Sequence, residues 1–171
     1  MKILGAILVM AASCGIGFLC AGEVDKRRKE LEEQYNLMRL IFGDIRYMRA
    51  TLPEAVNKAM VRHKGSYSLF LRIVADRLSE APGISLSDIW NDAVSNGLKQ
   101  SSLKETDKQI LKNFWESVSL ADRENVMMCF EQYINELQEE INGIKRAAGA
   151  KIKLYRSLGV LAGVFIVILF I

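Results

Sequence analysis

The two ends of the chain constrain it most. From Leu158 to Ile171 every residue is apolar or Gly, and Ile3 to Gly22 is a second charge-free stretch, 20 residues long. As helices at about 1.5 Å per residue these reach about 21 Å and about 30 Å, against a hydrocarbon core of roughly 30 Å. Counting the C-terminal run back to Leu154 lengthens it to about 27 Å, provided Arg156 lifts its guanidinium to the headgroups and Tyr155 lies at the interface. A buried core helix also tolerates such a run, but a soluble chain rarely brackets itself with two. The expectation is a transmembrane helix over 1–22, a helical domain over 23–153 and a C-terminal transmembrane helix over 154–171.

Orientation follows from the basic residues, because Lys and Arg near spanning segments stay on the cytoplasmic side. Lys26, Arg27, Arg28 and Lys29 follow the first stretch, and Lys145, Arg146, Lys151, Lys153 and Arg156 precede the second. Both clusters flank the central domain, which places it in the cytoplasm with both chain ends across the bilayer. A competing reading takes Ala11-Ala-Ser-Cys14-Gly15 as a lipoprotein cleavage box, with Cys14 as the processed first residue. Its charges are reversed for a signal peptide, since only Lys2 precedes the apolar run and the heavy cluster follows it.

The chain has 171 residues, 25% of them charged, and a net charge of +3 that comes mainly from the two junction clusters. Charge of both signs is mixed through the domain, so a membrane surface is the expected partner and nucleic acid is not. Cys14 and Cys20 lie in the first apolar run and Cys129 stands alone, which gives neither a disulfide framework nor a metal-binding spacing.

Between the ends the periodicity is helical throughout. Leu31, Tyr35, Met38, Ile41, Phe42, Ile45 and Met48 form a first apolar stripe, after a charged stretch, Lys26 to Glu33, that reads as a solvated stalk. Thr51-Leu-Pro-Glu54 restarts the chain with a hydroxyl cap, a first-turn proline and a carboxylate to close a capping box. Tyr67, Phe70, Leu71, Val74 and Leu78 make the third stripe, ending at Ala81-Pro-Gly83. Ser85-Leu-Ser-Asp88, Ser102-Leu-Lys-Glu105 and Ser119-Leu-Ala-Asp122 repeat the hydroxyl-x-x-acid signature and should open three more helices. These carry Ile89, Trp90, Ala93 and Val94, then Leu103, Ile110, Leu111, Phe114 and Trp115, then Val126, Phe130, Tyr133, Leu137, Ile141, Ile144 and Ala148. The fold class is all-α, an antiparallel six-helix bundle whose first and last helices run together into the membrane.

Chemistry is scarce. His63, the single histidine, lies at a helix end, where a cation complements the dipole, so a structural role outweighs a catalytic one. There is no phosphate-cradling glycine loop. Glu136, Glu139 and Glu140 fall on the polar side of the last helix, with nothing to shift their acidity. Trp90 and Trp115 lie on apolar stripes and belong to a core before they belong to a partner. No cofactor or metal is expected, and the chain reads as a non-enzyme. The rival is a small membrane-bound enzyme acting through His63 and nearby acids. A pore lined by the terminal segments is disfavoured by their lack of polar side chains. Gly159 and Gly163 form a small-residue face, spaced like Gly17 and Ala21, for a close contact between membrane helices or between two copies of the chain.

With these residues laid out, the chain resembles the stage III sporulation protein AB family of endospore-forming bacteria. The resemblance runs end to end through Leu52-Pro-Glu-Ala-Val56, Gly83-Ile-Ser-Leu-Ser-Asp-Ile-Trp90, Lys104-Glu-Thr-Asp107, Asp122-Arg-Glu124 and above all Tyr155-Arg-Ser-Leu-Gly-Val-Leu-Ala-Gly163. One departure is Asn125-Val-Met127, where glutamine would be expected soon after Glu124. A weaker, shorter resemblance to the cytoplasmic helical domain of type II secretion and type IV pilus platform proteins rests on Pro53-Glu-Ala-Val56 and Gly83-x-Ser85-Leu-Ser-Asp88. Together they imply a mother-cell protein of the outer forespore membrane, in the channel joining mother cell and forespore. Its cytoplasmic domain would meet a sister sporulation ATPase, and its membrane helices would meet other components of that channel.

Overall fold

The computed structural model describes the backbone over 2–80 and 85–170 and the side chains over 22–79, 85–122 and 124–148. Both stretches read as membrane-spanning lie in whole or nearly so outside the described side chains. So do Cys14, Gly17, Ala21, Lys151, Lys153, Arg156, Gly159 and Gly163, and the stop at Ala81-Pro-Gly83. Among the described residues, no helix is long and apolar enough to cross a membrane.

Six helices, and no strand, are formed by the described residues: α1 (Lys2–Tyr47), α2 (Leu52–Arg62), α3 (Ser68–Glu80), α4 (Leu86–Gly97), α5 (Glu105–Leu120) and α6 (Arg123–Phe170). Each packs on the next, and the ring closes where α6 returns against α1. The return is antiparallel. Gln34 meets Tyr133 at 2.5 Å, Arg27 meets Glu140 at 2.7 Å, and the rings of Phe42 and Phe130 stack 5.9 Å apart.

Aromatic rings from four helices fill the centre. Trp90 of α4 and Trp115 of α5 stack face to face, 3.7 Å between centroids and 8° from parallel, with Phe70 of α3 against both. Phe130 of α6 meets Trp115 edge-on. All four are buried. At roughly 1.5–3 kcal/mol for each large apolar side chain removed from water, this cluster is a main source of the bundle's stability. Some stripe residues depart from the expectation: Ile110 and Met48 are exposed, and Tyr35, Phe42, Leu78, Val126 and Ala148 are only half-buried.

The helix starts correct the sequence reading more than the helices do. Thr51 opens α2 as expected, its N–H donating to the Glu54 carboxylate at 2.8 Å. Ser85 precedes α4, but its side chain makes no cap hydrogen bond. At α5 the N-cap is Lys104, not Ser102, and Asp107 accepts the Lys104 N–H at 2.8 Å. At α6 the cap is Asp122, which accepts the Asn125 N–H at 2.9 Å, while Ser119 still belongs to α5 and donates its hydroxyl to the Trp115 carbonyl. The first helix ends with Arg49 at φ 54° and a bond from Ala50 N–H to the Asp44 carbonyl six residues back. That is the left-handed turn glycine usually makes, held here by arginine.

Candidate functional site

The stretch expected to be a solvated stalk is a collar instead. Lys26 to Glu33 lies on α1 where the helix leaves the core, and four of its side chains reach four other parts of the fold. Arg27 donates to both carboxylate oxygens of Asp107 on α5, at 2.8 and 2.7 Å, and to Glu140 on α6 at 2.7 Å. Glu30 accepts the Ser102 N–H at 2.8 Å, which pins the link between α4 and α5. Glu32 takes Lys145 of α6 at 2.8 Å. Glu33 lies 2.7 Å from His63 Nε2 and accepts the Tyr67 N–H at 3.3 Å, at the junction of α2 and α3.

Electrostatics follow the geometry. The Arg27 and Asp107 side chains are 11% and 6% exposed, so Asp107 depends on Arg27 for its charge partner, while Arg27 also has Glu140. Hydrogen bonding to Asp107, and then to Glu140, raises the guanidinium's already high pKa further. Lys145 holds the Glu32 carboxyl below its ordinary value, and Arg28 adds to this. Lys29 and then Arg28 do the same for Asp25, whose side chain is half in solvent. Lys26 is exposed. The basic cluster is thus largely matched by carboxylates before it meets any surface.

Below the collar a polar thread crosses the core. The Tyr67 hydroxyl donates to Gln34 Oε1 at 2.9 Å, and Gln34 Nε2 donates to the Tyr133 hydroxyl at 2.5 Å. Burial pushes both phenols well above their ordinary pKa. His63 is the C-cap of α2 and ties that end to α1 through Glu33. Gly65 leaves room for this tie, because a Cβ there would run into the Glu33 carboxylate. Trp90 and Trp115 are core, as their stripes implied. Glu136 accepts from Gln132 on its own helix, and Glu140 is half in solvent at Arg27. Among the described residues, no group of three or more His, Cys, Asp or Glu is placed to hold a metal ion.

The model for stage III sporulation protein AB matches residues 2–171. The chain belongs to the stage III sporulation protein AB family. A relative of that name from Bacillus subtilis (strain 168) is 22% identical over 169 residues, 99% of this chain and 98% of its own length. A solved structure of stage III sporulation protein AB superposes with a TM-score of 0.64 at 17% identity, covering 72% of this chain and 97% of that one. That superposition supports the all-helical fold. The family is named for a sporulation stage and not for an enzyme activity.

For this sporulation-family chain, sequence reasoning missed Glu30, Glu33, Gln34 and Asp107. The one local signal was that Asp107 stands three residues after Lys104, an acid at capping distance with no hydroxyl before it.

Proposed function

We propose that the chain is a non-enzymatic membrane platform of a sporulation mother cell–forespore channel, coupling its cytoplasmic bundle to a secretion-type ATPase. The observation that carries this reading is the collar. α1 and α6, which lead toward the two terminal apolar stretches, are joined to each other and to α5 at Arg27. A push on the bundle at any of its helices is therefore passed to the two helices directed at the bilayer. Family membership supports the sporulation setting, and the sequence resemblance to secretion platforms supports the ATPase as driver.

Two measurements test it. The full chain should stay with membranes through alkaline carbonate extraction. The sister ATPase should co-purify with the full chain reconstituted in lipid nanodiscs. Extraction into the soluble fraction would remove the platform reading, and absence of association at low and high salt alike would remove the coupling.

A further inference from the structure

Two links between helices lie at the collar end of the bundle, and both are basic. The α2–α3 link, residues 63–67, is held to α1 at Glu33, and the α4–α5 link, residues 98–104, is held to it at Glu30. Together they carry Lys64, Lys99 and Lys104 and no carboxylate. All three lysines are exposed, whereas Glu30 and Glu33 are half-buried and turned onto the links they hold. At the opposite end the α1–α2 link has Arg49 and the α5–α6 link has Asp122, so charge there cancels.

A groove of about 280 Å³ between α4 and α5 continues the basic surface from the second link. Lys99, Lys108 and Lys112 line it, with Glu105 as the single acid. Lys108 takes that carboxylate at 2.9 Å, which leaves Lys99 and Lys112 unmatched within the groove. α5 runs the same way as α1, since Asp107 meets Arg27 while Phe114 stacks on Tyr133, the partner of Gln34. Lys99 and Lys108 thus stand at the collar end of the groove and Lys112 further from it.

We infer that this basic edge, with Lys99 and Lys104 foremost, rests on anionic lipid headgroups. The inference rests on the membrane reading above and adds to it the class of lipid and the residues that meet it. Glu30, which holds the second link, stands eight residues beyond Gly22, roughly 12 Å along the helix. A headgroup layer fills about 5–7 Å of that distance, and a lysine's flexible stem crosses about 6 Å more. What is left lies within a Debye length of about 8 Å, where cations near an anionic leaflet are attracted to it. The cluster on α1 itself is largely matched by its own carboxylates, so the links, distant in sequence, supply the unmatched charge. Position favours lipid over an acidic protein. The two links flank the helices that lead to the terminal apolar stretches, and a soluble partner would have to enter the gap between bundle and bilayer to reach them.

The test uses the full chain in lipid vesicles, with Cys14, Cys20 and Cys129 replaced by Ala and one fluorescent label. The label is placed at Gln100→Cys, beside Lys99, or at Tyr47→Cys, at the far end of α1; both positions are exposed. The vesicles are phosphatidylcholine alone or phosphatidylcholine with phosphatidylglycerol, each with a nitroxide quencher on a headgroup. Phosphatidylglycerol is expected to raise quenching at Gln100→Cys at least about twofold, high salt to remove the rise, and Tyr47→Cys to show none. Lys99→Glu with Lys104→Glu should abolish the rise, and Lys99→Arg with Lys104→Arg should keep it. Both lysines are exposed, so the core is untouched, and unchanged far-UV ellipticity checks this. Quenching equal in the two lipids, or a rise that survives the glutamate pair, would overturn the inference. Lysines that serve an acidic protein would give the first of these. Carbonate extraction of the same vesicles separates the two readings: retained chain whose label ignores phosphatidylglycerol defeats the lipid contact alone, whereas released chain defeats the membrane reading and this inference with it.

Discussion

At Arg27 one guanidinium serves carboxylates on two other helices, and the balance of charge at this point decides what a substitution costs. Arg27→Met removes the cation from beside an Asp107 side chain that is 6% exposed. Breaking a buried pair from one side costs about 3 kcal/mol or more, because the remaining ion keeps its desolvation without its partner. The denaturant midpoint should fall accordingly with an unchanged slope, and a loss below about 1 kcal/mol would mean that water already reaches Asp107. Adding Asp107→Leu should restore only part of the loss, since Lys104 N–H then lacks its acceptor. None of this was legible from the sequence. Arg27 stood there in a run of four basic residues, and its partners lie 80 and 113 positions away. Trp90 and Trp115 were legible because an apolar stripe at helical spacing is a local pattern, and so was the structural placing of His63 at a helix end.

At the scale of elements, the number and order of the helices could be read from periodicity, and their starts only in part. The capping box at Thr51 and Glu54 forms as read. Ser102 fails as a cap because its N–H is drawn to Glu30, a contact made across 72 residues, and the helix begins later with Asp107 closing its first turn. Ser119 fails because its hydroxyl turns back on the Trp115 carbonyl and α5 runs on to Leu120. The crossing of α3 and α4 depends on a residue with no signature at all. A Cβ on Gly97 would lie 2.6 Å from the Cα and 2.8 Å from the N of Phe70, backbone atoms that cannot step aside alone. Alanine gains up to about 1 kcal/mol in helix propensity over glycine, and less at this last position of α4, whereas overpacking typically costs about 1–3 kcal/mol. Gly97→Ala should therefore lower the melting temperature, and a rise would mean that the two helices can part without loss.

For the whole molecule, the ring closed by α6 on α1 places its ionisable groups in two populations with opposite pH behaviour. Asp25 and Glu32 have folded-state pKa values lowered, by Lys29 and Arg28 for the first and by Lys145 and Arg28 for the second. A lowered carboxyl contributes stability above its unfolded pKa and loses it as pH falls through the folded value, so the acid limb should begin below about pH 4.5. Tyr67 and Tyr133 have raised values because burial disfavours the phenolate. A raised phenol contributes fully below its unfolded pKa, about 10, and loses that contribution as pH climbs beyond it. Thermal melts should accordingly give a plateau between about pH 5 and about pH 9, falling on both sides. Salt should soften the acid limb, since Asp25 and Lys29 stand in solvent. The alkaline limb has a sharper signature. Of the five tyrosines, Tyr67 and Tyr133 should form tyrosinate only together with loss of helical ellipticity. Full tyrosinate absorbance with the helices still intact would place water at the Gln34 thread, and the closed ring would then not be the state that α1 and α6 share at the collar.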